Sequence, residues 1–190
     1  MLEATPATDH ALMLAVRNGR LEAMGELFER HHGALFGFLF KLLGERTAAE
    51  DVAQIVFERM LKYRHTYREE GHFAAWMYHM ARRCAADQAR RSARAPAATD
   101  PAQLDATDNF QPAAAELAAA RDDRVLLQAA LDKLEPADRE VLLLSRLQEL
   151  SFAEVAAIME CSAGAARVRA HRAMQALRAH FFQLQQKVAS

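Results

Sequence analysis

SFAEVAAIMECSAGAARVRAHRAMQALR, residues 151–178, decides the fold. Ser151-Phe-Ala-Glu154 has the spacing of a capping box, in which the hydroxyl and the carboxylate each satisfy a free N–H at the start of a helix. That helix runs to about Met159, the short turn ECSA follows, and Ser162 caps a final helix that continues to about Gln186. Two helices joined by a tight turn, the second strongly basic, form a helix-turn-helix pattern. The last helix carries Arg167, Arg169, His171, Arg172 and Arg178, and no acid follows Glu160. Such a helix suits the major groove of DNA, where a bidentate arginine discriminates guanine by about 1–3 kcal/mol and flanking cations meet phosphates. Ser162 and the free N–H groups behind it add a phosphate seat. Gly164, Ala165 and Ala166 are small enough for close approach, either to the partner helix or to DNA.

Working outward, Pro136 stands where a first-turn proline belongs and opens a helix with Val141, Leu142, Leu144 and Leu147; before it the helical period runs from Glu116 to Leu134. Residues 94–115 hold three prolines and several acids and almost no bulky apolar groups, the composition of a flexible linker. In the first half, Asp9 is placed to cap a short helix ending at Gly19. A second helix spans about Leu21 to Leu43 and is stopped by Gly44. Thr47-Ala-Ala-Glu50 has capping-box spacing and starts a third helix to about Tyr63, with Val52, Ile55, Val56, Phe57, Met60 and Leu61 on its apolar face. After the loop RHTYREEG, residues 64–71, a fourth helix runs from about Phe73 to Ala93. The fold class is all-α: two small helical domains, 9–93 and 116–187, joined by the acidic linker 94–115.

Of the 52% hydrophobic residues, 41 alanines supply a large share, leaving enough larger side chains for a core in each of two small units. No apolar run approaches the roughly 20 residues of a membrane span, and the N-terminus has no Lys or Arg before Arg17, unlike a secretory signal. A cytoplasmic protein without membrane insertion is expected. Cys84 and Cys161 lie far apart and read as small buried or half-buried residues. Eight histidines show no HExxH and no grouping beside a carboxylate, so neither a metal nor another cofactor is expected, and an enzyme is the weakest of the readings.

The net charge of −1 conceals a sharp segregation. Residues 59–94 carry 9 basic and 3 acidic groups and residues 161–190 carry 5 and none, while the three remaining blocks are acidic. Two anion-binding faces follow if these cations cluster in space; solvated helix faces are the plainer alternative. In the first block Lys62, Tyr63, Arg64, His65, Tyr67 and Arg68 interleave cations with rings, which suits unstacked bases of single-stranded DNA. Trp76, with Phe73, Met77 and Met80, has core spacing and reads as structural. Arg82, Arg83, Arg90 and Arg91 read as phosphate contacts.

These segments together resemble an extracytoplasmic-function (ECF, group IV) sigma factor of the sigma-70 family. Residues Asp9 to Phe28 resemble the opening of its region 2, and AAEDVAQIVFER at 48–59 resembles the region-2 helix usually written AEDLVQETFLR. FAAWMYHMARRCAADQARR at 73–91 resembles FRAWLYRIARNLALDHLRR, and residues 131–178 resemble region 4 with its recognition helix. The resemblance implies an alternative sigma factor that binds core RNA polymerase and recognises the minus-10 and minus-35 elements of promoter DNA. It assigns Glu50, Asp51, Gln54, Phe57 and Arg59 to the surface that docks on the β′ clamp helices, with the β flap as a second polymerase contact. Minus-10 DNA falls to Arg82, Asp87 and Arg90 and to loop 64–71, which corresponds to the family's specificity loop for a flipped base. Minus-35 DNA falls to Arg167, Arg169 and Arg172, beside the Ser162 and His171 read from the motif. An anti-sigma factor, often membrane-anchored in this class, is the implied antagonist. Ile55 stands where the family usually has an acid, Arg83 replaces an asparagine, and Ala165, Ala166 and Val168 replace Thr, Val and Ser. A conventional helix-turn-helix regulator that binds duplex DNA without polymerase is the rival reading.

Overall fold

The computed structural model describes residues 7–92 and 114–188, with side chains from Asp123 onward in the second stretch. The expected linker, 94–115, lies outside the described residues except for Ala114 and Ala115, which already belong to a helix. Four helices make the first half: α1 (Asp9–Arg17), α2 (Ala23–Leu43), α3 (Arg46–Lys62) and α4 (Phe73–Ser92). Four make the second: α5 (Ala114–Asp132), α6 (Pro136–Leu142), α7 (Phe152–Met159) and α8 (Ala163–Val188). There is no strand among the described residues, so the molecule is all-α as expected.

Local chemistry sets the helix ends, in two places by a different residue from the one expected. The hydroxyl of Thr8, and not the carboxylate of Asp9, caps α1 by accepting from the Ala11 N–H at 3.2 Å. Asp9 instead binds Arg30 and His31, each at 2.8 Å. Burial alone would raise its pKa, but these two partners outweigh burial and hold it below the ordinary carboxylate value. Glu45 caps α3 by accepting from the Ala48 N–H, so Thr47 is a first-turn residue, and Glu50 turns to Arg46 at 2.9 Å in place of closing a box. The Ser151–Glu154 box forms in full, and Pro136 opens α6. Gly44 ends α2 in the left-handed region, φ 77°, where its N–H reaches the Phe40 carbonyl at 2.8 Å.

After α6 the chain takes one π-helical stretch, Leu143–Leu147. The wider turn shifts the apolar stripe by a residue: Leu143 and Leu144 are buried, while Leu147, expected on the same face, is 43% exposed.

The halves share one continuous core. Met13, Leu27, Leu35, Phe38, Val56 and Met77 anchor the first, and Leu131, Val141, Leu144, Val155, Ile158 and Ala170 the second. α4 packs on α7, and α2 packs on α6 and the π-helical stretch. Polar groups stitch the same seam. The Tyr78 hydroxyl donates to Gln148, whose amide donates to the Ala34 carbonyl at 3.4 Å, and Arg139 donates to the Leu42 carbonyl at 3.1 Å.

The two Ser/Thr-x-x-Glu segments should respond differently to alanine. Ser151→Ala removes a formed cap and is expected to cost about 1 kcal/mol. Thr47→Ala removes an exposed side chain that caps nothing and should stay within about 0.5 kcal/mol of wild type. Denaturant unfolding followed by circular dichroism measures both; equal costs would show that the caps are misassigned.

Candidate nucleic-acid interface

The basic face of α8 follows from where its alanines go. Ala166, Ala170 and Ala173, spaced to lie on one side, are buried against the domain. The opposite side then presents Val168, His171, Arg172 and Gln175 to solvent. Arg167 and Arg169 flank this stripe on either side. Arg167 lies over the Phe152 ring of α7 at 5.4 Å, and Arg169 is 3.9 Å from Asp138 of α6. The Ser162 hydroxyl caps the helix by accepting from the Ala165 N–H at 3.1 Å. Gln175, whose amide lies 3.1 Å from the His171 ring, extends the exposed polar stripe by one turn; helical spacing from His171 and Arg172 was the available signal. Cys161, expected to be at least half-buried, is exposed in the turn before Ser162, whereas Cys84 is buried.

The second basic block is divided in space. Lys62 lies over the Tyr63 ring at 5.5 Å, and both are exposed, as are His65 and Arg68. Arg64 folds back to donate to the Leu61 carbonyl at 2.8 Å. Tyr67 points inward and is 1% exposed, so its ring braces the loop from beneath. Burial, with the Asp9 charge nearby, pushes its hydroxyl pKa up to about 12. On α4, Arg90 and Arg91 face solvent. Asp87 accepts from Arg59 at 3.3 Å and from Arg90 at 2.6 Å, and these two hydrogen bonds hold its pKa below the ordinary value. Arg59 thereby ties α3 to α4.

Arg82 and Arg83 face the second half. Arg82 Nε is 2.8 Å from Glu140 Oε1 and its guanidinium also donates to the Ile158 carbonyl at 3.2 Å. The N–H is not aimed at Oε1, so this buried oxygen has a counter-charge but no good hydrogen bond. Burial raises the Glu140 pKa against the pull of Arg82 and Arg169. Arg83 and His79 lie 3.9 and 3.7 Å from Glu160.

A third surface is apolar. Phe28, Phe36 and Phe40 of α2, Phe57 and Leu61 of α3 and Leu127 and Leu131 of α5 line a groove of about 1070 Å³. Glu50 and Gln54 stand on its wall, and Phe57 contributes a ring 4.9 Å from that of Phe28. Asp51 is exposed beside the groove and does not line it. Ile55 is half-buried and packs against the core. No helix among the described residues is long and apolar enough to cross a membrane, and no group of three or more His, Cys, Asp or Glu among them is placed to hold a metal ion.

A family model described as Sigma-70 region 2 matches residues 27–95, and one described as Sigma-70, region 4 matches residues 124–177. The RNA polymerase sigma factor CarQ of Myxococcus xanthus is 33% identical over 178 residues, 91% of this chain and 97% of its own length. The ECF RNA polymerase sigma factor SigX of Bacillus subtilis is 28% identical over 166 residues, 85% of each chain. Among solved structures, CnrH in complex with the cytosolic domain of CnrY matches with a TM-score of 0.67 and 26% identity, covering 90% of this chain and 95% of that one. The chain belongs to the sigma-70 family of RNA polymerase sigma factors and is of the ECF type. Its function is that of an alternative sigma factor, directing promoter-specific transcription initiation.

Removing Arg82 leaves the buried Glu140 charge with only the weaker pull of Arg169. Arg82→Ala is expected to cost about 1–3 kcal/mol in thermal unfolding, and Arg82→Met with Glu140→Met to recover most of it. The raised Glu140 pKa also fixes a sign: its contribution to stability is full below the ordinary carboxylate pKa and is lost as pH rises through the raised value. Asp9 and Asp87, with lowered values, act oppositely and lose their contribution as pH falls. Melting temperatures of wild type and Glu140→Gln across pH 4 to 8 should therefore converge toward low pH, about where the carboxyl is neutral; parallel curves would remove Glu140 from the pH dependence.

Proposed function

We propose that the chain is a group IV sigma factor whose two halves divide promoter recognition, with 9–93 as the region 2 domain and 116–187 as the region 4 domain, joined by the segment between them. The reading is carried above all by the exposed stripe of α8, held outward by buried alanines and flanked by Arg167 and Arg169. In this reading Arg167, Arg169, His171 and Arg172 meet the minus-35 element, with Ser162 and the helix start at a phosphate. Lys62, Tyr63, Arg64, His65 and Arg68 meet the minus-10 strand, joined by Arg82, Arg83, Arg90 and Arg91 on α4. Tyr67 and Asp87 act by bracing that surface.

Glu50, Asp51, Gln54 and Phe57 dock on the β′ clamp helices of polymerase, with Arg59 behind them, and region 4 reaches the β flap. The apolar groove beside Glu50 and Gln54 supports a helical polymerase element as the occupant, because aromatic walls with charged rims fit an amphipathic helix. An anti-sigma factor, membrane-anchored or not, competes for these faces; CnrH, 26% identical, is itself bound to the cytosolic domain of CnrY. Arg82 reaches minus-10 DNA only after α7 leaves α4, since its guanidinium lies against Glu140 and Ile158. The protein works in the cytoplasm and needs neither a metal nor another cofactor.

In vitro transcription of fragmented genomic DNA by purified core polymerase, with and without this protein, tests the reading. Discrete new start points preceded by two shared sequence elements are expected. No new starts and no binding to core polymerase would favour a conventional helix-turn-helix regulator. On a promoter so mapped, Arg169→Ala should weaken use by about 1–3 kcal/mol and spare polymerase binding. Asp51→Ala should do the reverse.

A further inference from the structure

The segment between α3 and α4 has little to hold it in shape by itself. It contains one 3₁₀ turn, Arg64–Thr66, and a second turn in which the Gly71 N–H reaches the Arg68 carbonyl at 3.1 Å. Its anchors come from α1, 50 to 61 residues earlier. The Tyr67 hydroxyl donates to the Gly71 carbonyl at 3.0 Å and lies 2.8 Å from His10 Nδ1, which is itself 3.1 Å from the same carbonyl. The His10 ring nitrogen, the Tyr67 hydroxyl and the Gly71 carbonyl thus lie within hydrogen-bonding distance of one another, a three-membered polar cluster that joins α1 to the end of the loop. The Tyr67 ring meets Trp76 edge-on at 5.2 Å. On the other side of the loop, Arg17 donates to the Tyr67 carbonyl at 3.0 Å and pairs with Glu69 at 2.8 Å. Gly71 suits the closure, because a Cβ there would stand 3.0 Å from the Arg68 carbonyl oxygen and the turn would have to give by a few tenths of an ångström to admit it.

Both ends of the turn 67–71 are therefore held by α1, and the remaining loop side chains face out. His65, Thr66 and Arg68 are exposed around a polar recess of about 540 Å³, to which Arg17 and Glu69 also contribute. α1, Asp9–Arg17, lies outside residues 27–95 that match region 2.

We propose that His10 and Arg17 are positioning residues for promoter opening: from α1, and through Tyr67, they hold loop Arg64–Gly71 in the shape that admits an unstacked minus-10 base. The inference rests on the reading of that loop as a minus-10 contact. A loop held in its binding shape before DNA arrives loses no further freedom on capture, and the held shape decides which base fits. Base preference at the minus-10 element is then set in part by a helix that does not touch the base.

The test uses holoenzyme reconstituted from core polymerase and the full chain. The template is a mapped promoter randomised across its minus-10 element, supplied as duplex and as a premelted bubble, with transcripts sequenced to give the preference at each position. Tyr67→Phe, which removes one hydroxyl, and Arg17→Ala are expected to flatten the preference at one or two minus-10 positions by about 2- to 10-fold on both templates. Arg17→Lys, which retains a donor to the Tyr67 carbonyl, should recover part of it. Core polymerase binding and minus-35 preference should match wild type. His65→Ala with Arg68→Ala, on the loop itself, tests the underlying reading. A changed profile for the loop variant but a wild-type profile for Tyr67→Phe and Arg17→Ala would overturn the positioning role alone. An unchanged profile for the loop variant would overturn the reading of the loop, and the proposal with it. A uniform loss of activity with no change in base preference would reduce His10 and Arg17 to ordinary stabilising residues.

Discussion

Glu140 is the one charged side chain buried among the described residues, and its counter-ion comes from the other half of the chain. A carboxylate removed from water costs several kcal/mol unless a cation and hydrogen bonds replace the solvent. Arg82 supplies the charge and in the same position binds the Ile158 carbonyl at the end of α7. The apolar seam determines that the halves adhere. The ion pair determines how, because sliding α4 along α7 by one helical turn would strand the carboxylate. Tyr78 with Gln148, and Arg139 with the Leu42 carbonyl, repeat the constraint at other points of the seam. The positions of α8 and of the loop between α3 and α4 relative to each other are consequences of this one buried charge and the contacts around it.

Much of the fold was legible because its signals are local. A proline at the first turn of α6, Ser151 with Glu154, and Gly44 after an apolar helix each act within four residues, and each does what its chemistry suggests. Local signals failed where two of them competed. Thr8 and Asp9 both offer an oxygen at the start of α1, and the long-range pull of Arg30 and His31 on Asp9 settles the choice. Glu45 and Thr47 compete in the same way at α3, where Arg46 takes Glu50 out of the contest. The π-helical stretch had no signal in the letters, since a run of leucines offers an apolar side chain in any register.

The interface was legible to the extent that it depends on helical spacing. The cations of α8 point outward because the alanines between them point inward, a pattern the letters display. Tyr67 was read with its neighbours as a nucleotide platform, yet burial depends on what lies beneath the loop, and that is His10 of α1 and Trp76 of α4. His10 and Arg17 stood out in no motif, because their partners are 50 to 61 residues away. The meeting of Arg82 with Glu140 was hidden for the same reason: each sits in a segment where a charge on a helix surface is ordinary, and only packing makes it exceptional.

The turns on either side of α7 add a constraint of another kind. Glu149 and Glu160, with φ of 53° and 56°, are the non-glycine residues found in the left-handed region among the described positions. That conformation costs a residue with a Cβ about 1–2 kcal/mol. α7 is eight residues long, too short to persist unaided. Its placement is thus borrowed from α4 on one side and α8 on the other, and the pitch at which α8 leaves the domain is a property of the assembled molecule that neither α7 nor α8 possesses in isolation.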